Sequence, residues 1–291
     1  MKDTETTKSE NENSIEYHFK KGFLPEWSVS EEALRRLLSF LYPYKCEHDL
    51  IRLGGLNDGG YLIPDDLLNI AACFSPGVDD RADFENELMR KFKIPSHLTD
   101  YTSKLSAKEL NVETITKKYL GATDDKQHIT LQSWMDHLIP NINDYSSDLL
   151  LQMDIEGNEY QVILALPPNY LRKFRIICIE IHWLINWAKG SFYKIADAFM
   201  KKLTKDFYVV HTHLNNGGFM ANINGIQVPM VVEITLLRKD RASQIEPNFG
   251  LPHALDMPNT KDRPELSIPD WLTSPPRIID KYFDVNSIKQ F

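Results

Sequence analysis

Apolar residues along this chain occur in two patterns, short continuous runs and positions that repeat every three or four residues. Continuous runs predict buried strands, and the repeating pattern predicts amphipathic helices. Strands are predicted at 70–74, 97–100, 149–154, 176–182, 207–211 and 228–237, helices at 28–41, 82–92, 160–166 and 192–204, and a strand edge entering a helix at 129–139. Alternating strands and helices predict an α/β fold with a Rossmann-like, doubly wound, mostly parallel sheet. The short Gly and Asn loop before the last strand predicts an antiparallel strand pair at the C-terminal end of the core.

The two ends of the chain differ from this core. Residues 1–25 are predicted to form a disordered or extended tail, because the first 15 are mostly polar or charged. After Lys239 the periodicity fades and prolines recur, which predicts an extended Pro-rich segment over 241–291. The folded domain is therefore predicted to span 26–240.

A Gly-rich segment precedes the predicted sheet. Residues 51–55 and 59–64 are short extended pieces on either side of Asn57-Asp58. This pattern predicts a hairpin, with a ligand-binding loop as the alternative.

Composition narrows the class of protein. The 291 residues are 42% hydrophobic, enough for a large core, and the net charge of -8 argues against a nucleic-acid-binding surface. Three distant cysteines indicate neither a disulfide framework nor a Cys-rich zinc site, which fits a reducing cytoplasm. The apolar runs are too short for a membrane span. The Pro-rich segment can wrap its own domain or a second subunit, so a homo-oligomer stays open.

Carboxylates follow the apolar run 149–153. Asp154, Glu156 and Glu159 come directly after this predicted strand. Open α/β sheets bind ligands outside the carboxyl ends of their strands, so this edge is the predicted active-site edge. Asp154 is the hardest to explain structurally, because a carboxylate that ends an apolar strand must be solvated, paired or functional.

The turn after the first core strand is a candidate cofactor loop. Residues 75–80 contain one glycine, Gly77, and Asp100 lies about 26 residues after the strand end. A nucleoside without a pyrophosphate needs one tight backbone approach and a carboxylate for its ribose diol. The pattern therefore favours S-adenosylmethionine over a nicotinamide dinucleotide, with an ordinary strand-to-helix turn as the structural alternative.

Several motifs together resemble one family. Residues 154–159 (Asp-Ile-Glu-Gly-Asn-Glu) resemble the Asp-x-Glu-Gly-x-Glu signature of the FkbM-type methyltransferases, which are S-adenosylmethionine-dependent O-methyltransferases. The resemblance covers about 53–238 and implies a class I methyltransferase-like domain. Its other pieces are Asn57-Asp58-Gly59-Gly60-Tyr61, Phe74-Ser75-Pro76-Gly77-Val78, Phe84-Glu85, Thr130-Leu131, Glu180-Ile181-His182, His213-Leu214-Asn215-Asn216 and Glu233-Ile234-Thr235.

The resemblance implies roles in cofactor binding. The implied positions are Ser75, Gly77, Glu85, Asp100, Asp124 and Asp125. Gly77 would face the methionine part of the cofactor and Asp100 its ribose hydroxyls, while Glu85 would orient the loop. Asp124 or Asp125 would receive the adenine amine, although such a pair is also typical of a solvated turn.

Methyl transfer to a hydroxyl requires removal of its proton. Asp154 is the predicted base, acting directly or through a divalent ion. Glu180 and His182 are two residues apart on one strand and so share a face, and His211 and His213 have the same relation. The predicted catalytic residues are Asp154, Glu180 and His182, and the metal-ligand set adds His213. Mixed His and carboxylate ligands suit Mg, Mn, Fe or Zn, and a lone strand histidine is also typical of a hydrogen-bonded core residue.

The family's range implies an acceptor class. A hydroxyl of a sugar or nucleotide-linked sugar is the expected methyl acceptor, with surface polysaccharide biosynthesis as one setting. Trp183 and Trp187 are candidates to stack on a sugar ring, with helix packing as the alternative. The competing hypotheses are a non-methylating Rossmann-like protein that binds a nucleotide or partner, and a metal-dependent hydrolase.

Overall fold

Strands and helices alternate along most of the chain. The computed structural model describes residues 19–22, 26–142 and 146–274, so 1–18 and 23–25 of the predicted tail and 275–291 of the Pro-rich segment lie outside the described residues. The strands are β1 (Tyr44–Lys45), β2 (Leu50–Leu53), β3 (Tyr61–Pro64), β4 (Ile70–Pro76), β5 (Ser96–Thr99), β6 (Thr114–Thr116), β7 (Tyr119–Gly121), β8 (His128–Thr130), β9 (Asp148–Met153), β10 (Phe174–Ile181), β11 (Phe207–Leu214), β12 (Met220–Ile223), β13 (Ile226–Pro229), β14 (Val232–Arg238) and β15 (Glu246–Pro247). The α-helices are α1 (Glu31–Leu38), α2 (Asp83–Phe92), α3 (Ala107–Leu110), α4 (Leu131–Leu138), α5 (Glu159–Ala165), α6 (Pro168–Leu171), α7 (Gly190–Asp206) and α8 (Asp270–Thr273).

The central sheet has the order β11-β14-β10-β9-β4-β5-β6. Strands β4, β5, β6, β9 and β10 are parallel, whereas β14 lies antiparallel between β10 and β11. This arrangement confirms the prediction of a mixed α/β fold whose mostly parallel sheet ends in an antiparallel pair. It is consistent with a Rossmann-like core.

Alternate residues of the central strands bury opposite faces of the sheet. Leu149 and Leu151 pack into the cluster that contains apolar side chains of α1, α4, α5 and α7. Leu150 packs on the other face, together with side chains of α2 and of the β2–β3 hairpin. Both faces are covered, so the central strands read as continuous apolar runs rather than as an alternating pattern. Ligands therefore reach the sheet at its edges.

One predicted strand is divided in the structure. Residues 228–237 were expected to form a single strand, but β13 ends at Pro229 and β14 begins at Val232. Strand β13 pairs instead with β12 in a separate hairpin, and the turn residues Asn224 and Gly225 both have positive φ. An Asn-Gly turn between extended pieces is a strong hairpin signal, and the sequence interpretation overlooked it.

Two short strands on one side of the sheet, β6 and β7, were also missed, whereas β8 and α4 correspond to the strand edge entering a helix that was predicted at 129–139. Strand β6 forms the sheet edge beside β5, and β7 pairs with β8 outside the sheet. Each has three residues, too few to show a period of two. The predicted strand at 97–100 corresponds to β5, and Asp100 follows it directly.

Candidate active site

Three side chains meet where two neighbouring strands end. Asp154 follows β9, and Glu180 and His182 lie at the end of β10, which runs parallel beside β9. His182 Nε2 lies 3.8 Å from Asp154 Oδ1 and 3.3 Å from Glu180 Oε1. The structure thus brings together the three residues predicted to be catalytic.

Glu159, the first residue of α5, orients His182. Its side chain is fully buried, and its Oε1 lies 3.1 Å from His182 Nδ1. The same oxygen accepts hydrogen bonds from the backbone N–H groups of Ile155 and Gly157. A carboxylate on Nδ1 leaves Nε2 as the nitrogen that faces Asp154 and Glu180. Glu159 therefore has a positioning role, beyond the helix-start role that its sequence position indicates.

Burial and mutual repulsion raise the pKa values of the carboxylic acids in this group. Burial raises the pKa of Asp154 to about 7 against the opposing effect of His182, and nearby carboxylates, Glu156 first, add to the rise. Burial also raises the pKa of Glu180 well above its usual value, with the charges of Asp154 and Glu233 contributing. Burial alone would lower the pKa of His182, but the hydrogen bond to Glu159 and the charges of the surrounding carboxylates together outweigh burial, so the net shift is upward. Asp154 is therefore tuned to exchange a proton near neutral pH.

Two of these carboxylates carry unpaired oxygens. Within the described residues, Asp154 Oδ1 and Glu180 Oε2 are buried and have no hydrogen-bond partner. Asn215 Nδ2 donates to the other oxygen of Glu180 at 3.1 Å. A buried carboxylate oxygen without a donor is costly unless a proton, a cation or a ligand group satisfies it.

Glu233 extends the acidic group to the next strand. It lies on β14 directly opposite Glu180 and pairs on its other side with His213 of β11. Asn259, from the Pro-rich segment, donates through Nδ2 to Glu233 Oε1 and, at 3.3 Å, to Asp58 Oδ1 of the β2–β3 loop. Residues from five separate parts of the chain therefore surround one edge of the sheet.

The two strand histidines have separate partners. His213 Nδ1 lies 3.2 Å from Glu233 Oε2, whereas His211 Nε2 lies 2.9 Å from Asp256 Oδ1. Burial alone would lower the pKa of His213, but Glu233 outweighs it and raises the value to about 8. Asp154, Glu180 and His182 form one group whose ligand atoms lie within 4.8 Å of one another in the part of the chain described, and His213 is not among them. His213 instead pairs with Glu233, and its predicted role as a fourth metal ligand stays a prediction.

The candidate cofactor loop lies against Asp154. Gly77 follows β4 with φ of 80°, and a Cβ at this position would lie 1.5 Å from the carbonyl oxygen of Asp154. Its N–H donates to the carbonyl of Thr99 at the end of β5. Only glycine fits such a close backbone approach. The loop and the carboxylate predicted to be the base are therefore in direct backbone contact.

Asp100 holds the neighbouring loops together. Its Oδ1 accepts from the N–H and hydroxyl of Thr102 and from the N–H of Ser103, and its Oδ2 accepts from the N–H of Asp79. Because Oδ2 receives this single bond from the described residues, it keeps capacity to accept another. The ribose role of Asp100 stays a prediction that this geometry permits.

Ser75 and Glu85 belong to a buried network. The Ser75 hydroxyl lies between Glu85 Oε1 and Gln152 Oε1, and Gln152 Nε2 donates to the Tyr61 hydroxyl at 3.1 Å. The Ser75 hydroxyl donates to Glu85 Oε1. Burial raises the pKa of Glu85 to about 6, against the opposing effect of this hydrogen bond. Both side chains support the loop from below, and their contact with a cofactor stays a prediction.

Asp124 and Asp125 lie before α4. Asp124 accepts from the N–H of Thr130 and the hydroxyl of Ser133, and Asp125 accepts from the N–H groups of Gln127 and His128. Both carboxylates thus stabilise their own turn, as the structural alternative expected. Their role toward adenine also stays a prediction.

Sequence reasoning missed part of this site. Asp58 was noted as a turn residue and, like Glu233, as part of a family motif, but neither was given a role, and Asn259 was not singled out. The Gly-rich loop around Asp58 was the available signal, because it was considered as a ligand-binding loop. Glu233 became recognisable only through its register opposite Glu180.

One protein family matches part of this chain. The model of the methyltransferase FkbM domain matches residues 81–207, which include α2, β9 and β10. The matched range contains Asp154, Glu180 and His182. A search of curated protein sequences found no match. None of the helices described here is long and apolar enough to cross a membrane. The family match favours the methyltransferase hypothesis over the nucleotide-binding and hydrolase alternatives. Residues 81–207 are therefore similar to the methyltransferase FkbM domain, and this similarity implies an S-adenosylmethionine-dependent methyltransferase.

Proposed function

We propose that this protein transfers a methyl group from S-adenosylmethionine to a hydroxyl of a sugar or nucleotide-linked sugar, with Asp154 as the proton acceptor. The observation that carries this proposal is the contact between Gly77 and the backbone of Asp154. The contact joins the candidate cofactor loop to a carboxylate with a pKa of about 7. Methyl donor and base therefore share one edge of the sheet.

The residues present fit the cofactor. Asp100 lies at the end of β5, and its Oδ2 can accept a hydrogen bond from a ribose hydroxyl. Gly77 has no side chain, so a ligand can approach the backbone of its loop closely. When bound, S-adenosylmethionine would supply a methyl group on positively charged sulfur. The acceptor oxygen would take this methyl group as the carbon–sulfur bond breaks, and the bonding electron pair would stay on sulfur.

Asp154 removes the proton that the acceptor must lose. Its Oδ1 lacks a hydrogen-bond partner among the described residues, so it can accept from a hydroxyl in the cleft. A base is most effective when its pKa lies near the working pH, and burial brings Asp154 into that range. His182, oriented by Glu159, lies beside Asp154 and favours its ionised form.

The surroundings of Asp154 support a sugar acceptor. Trp183 is 40% exposed, follows His182, and lies so close to Gly157 that a Cβ there would be 2.5 Å from Trp183 Nε1. An exposed indole can cover the apolar face of a sugar, and carboxylates accept hydrogen bonds from its hydroxyls. Trp187 is buried and donates to the Tyr160 hydroxyl, so it belongs to the core. A role in surface polysaccharide biosynthesis is part of the proposal.

The alternative route uses a divalent ion on Asp154, Glu180 and His182, which would lower the pKa of the acceptor hydroxyl. The direct route requires no such ion.

Labelled S-adenosylmethionine and a panel of sugars and nucleotide sugars test the proposal. We expect Asp154→Asn to lower kcat by about 10²- to 10⁴-fold, the usual contribution of a general base. Calorimetry should show that the variant still binds S-adenosylmethionine, because its backbone contact with Gly77 is retained. Asp240→Asn is the matched control, since Asp240 lies at the opposite end of the sheet.

Two results would overturn the proposal: failure of the wild type to bind S-adenosylmethionine, or full activity of Asp154→Asn. If Asp154→Asn loses Mn²⁺ affinity together with activity, the metal-assisted route replaces the direct one.

A further inference from the structure

A second group of carboxylates adjoins the candidate active site. Asp58 of the β2–β3 loop, Glu180 of β10 and Glu233 of β14 each offer an oxygen, and these oxygens lie within 4.8 Å of one another. Glu180 belongs to this group as well as to the one with Asp154 and His182. Asp58 and Glu233 lie outside the residues that the family model matches, so the family match does not assign this group.

Glu180 provides an independent sign of a missing ligand. Glu180 is 4% exposed, and its Oε2 has no hydrogen-bond partner in the described part of the chain. The cationic side chains recorded within 4 Å of Glu180 and Glu233 in the described residues are two imidazoles, His182 and His213. Three converging carboxylates and a buried, unpaired oxygen require further positive charge.

Neighbouring groups hold the outer two carboxylates in place. The N–H of Asp58 donates to the carbonyl of Asn259, whose side chain donates back to Asp58 and also to Glu233. Arg52 donates to the carbonyls of Gly55 and Asn57 at 3.1 Å and so supports the loop that carries Asp58. The site is therefore built by hydrogen bonds that leave carboxylate oxygens available.

We propose that Asp58, Glu180 and Glu233 bind a divalent cation of the hard, oxygen-preferring class, Ca²⁺, Mg²⁺ or Mn²⁺. Three carboxylates without a histidine match this class, whose metal–oxygen distances are about 2.0 to 2.6 Å. Oxygens within 4.8 Å of one another can therefore share one ion with little movement. The bound cation ties the β2–β3 loop to β10 and β14 and neutralises the acceptor side of the cleft.

Mn²⁺ binding to the metal-free full-length protein, followed by electron paramagnetic resonance without S-adenosylmethionine, tests this site. Asp58→Asn removes a ligand from this group alone, and His182→Gln removes one from the neighbouring group alone. We expect Asp58→Asn to weaken Mn²⁺ binding at least tenfold and His182→Gln to change it less than twofold. Asp58 is an exposed loop residue, so its variant should keep the far-ultraviolet circular dichroism of the wild type.

The opposite ranking of the two variants would overturn the proposal, as would a wild type that binds no Mn²⁺ or equal affinity in Asp58→Asn. This test is independent of methyl transfer. If the protein binds Mn²⁺ but not S-adenosylmethionine, the cation site stands and the proposed function is refuted. If it binds S-adenosylmethionine but not Mn²⁺, the cation site is refuted and the proposed function stands.

Discussion

Within the part of the chain described, buried carboxylates are paired with arginines at one end of the central sheet, whereas those at the other end are not. At the amino end, Arg175 is 5% exposed and lies 3.1 Å from Asp66 and 2.8 Å from Asp148. Arg238 and Arg241 add further ion pairs to these two acids. At the carboxyl end of the same strands, Asp154, Glu180 and Glu233 converge without any Lys or Arg within ion-pair distance among the described residues.

The pKa shifts follow this difference. Burial alone would raise the pKa of Asp148, but its hydrogen bonds to Arg238 and Arg175 outweigh burial and lower it. Asp154, six residues later at the other end of β9, has its pKa raised to about 7. Matched charges thus stabilise the fold, whereas unmatched carboxylates leave a region ready to bind a proton, a cation or a substrate hydroxyl. The amino end of the sheet thus holds a matched charge network, and the carboxyl end holds an unmatched one.

Removal of Arg175 gives the largest expected effect on stability. Arg175→Met leaves two buried carboxylates with fewer partners and two backbone carbonyls, of Asp66 and Leu68, without their donor. We expect a loss of about 3–5 kcal/mol in the free energy of unfolding, the usual cost of breaking a buried ion pair. Chemical denaturation measures it.

The matched variant at the other end of β10 is Glu180→Gln in the presence of chelator. Removal of an unmatched charge should leave stability unchanged or raise it. Equal destabilisation by both variants would show that the two ends of the sheet do not differ in the way proposed.

The pH dependence of stability should differ in sign between Asp154 and Asp148. For Asp154 the pKa is about 7 in the folded protein against the ordinary aspartate value of 3.8, so between these values the folded state holds a proton that the unfolded state has released. Stability then falls as pH rises, and the wild type should lose about 2–3 kcal/mol relative to Asp154→Asn between pH 5 and 8. Denaturation of both proteins in chelator measures this difference.

Asp148 provides the opposite case. Its lowered pKa stabilises the folded state above the ordinary aspartate value of 3.8, and this stabilisation is lost as pH falls through the folded pKa. The advantage of the wild type over Asp148→Asn should therefore shrink in acid. If the stability difference between the wild type and Asp148→Asn changed with pH in the same direction as that between the wild type and Asp154→Asn, the contrast between the two ends of the sheet would be contradicted.

The smallest expected effect is at the exposed rim of the amino end. Asp240 pairs with Arg238, but its side chain is 62% exposed. Asp240→Asn should cost no more than about 1 kcal/mol, because solvent screens such pairs. Thermal denaturation measures the change, and a loss as large as that of Arg175→Met would show that the network depends on its exposed members.

Local patterns predicted much of this molecule correctly. The apolar runs at 149–154 and 176–182 correspond to β9 and β10, and residues that end neighbouring parallel strands must meet at one edge. By this rule the sequence alone predicts that Asp154, Glu180 and His182 lie together. The Asn224-Gly225 hairpin carried an equally local signal, but it was not used.

The partners of these residues could not be predicted in the same way. Asp58, Glu233 and Asn259 come from a loop, an antiparallel strand and the Pro-rich segment, and no sequence period relates them. Glu233 faces Glu180 only because of the register between β14 and β10. One residue of slip would turn it to the other face of the sheet.

The sequence alone therefore determined the alternation of elements, the carboxylates at the strand ends and the resemblance to a methyltransferase family. The tertiary structure decided which charges are matched, because ion pairing depends on distances between segments far apart in the chain. It also decided the proton affinity of Asp154 and Glu180, since burial and neighbouring carboxylates, rather than residue type, set their pKa values. Strand periodicity is a local property, whereas desolvation and charge balance arise only when the chain is folded.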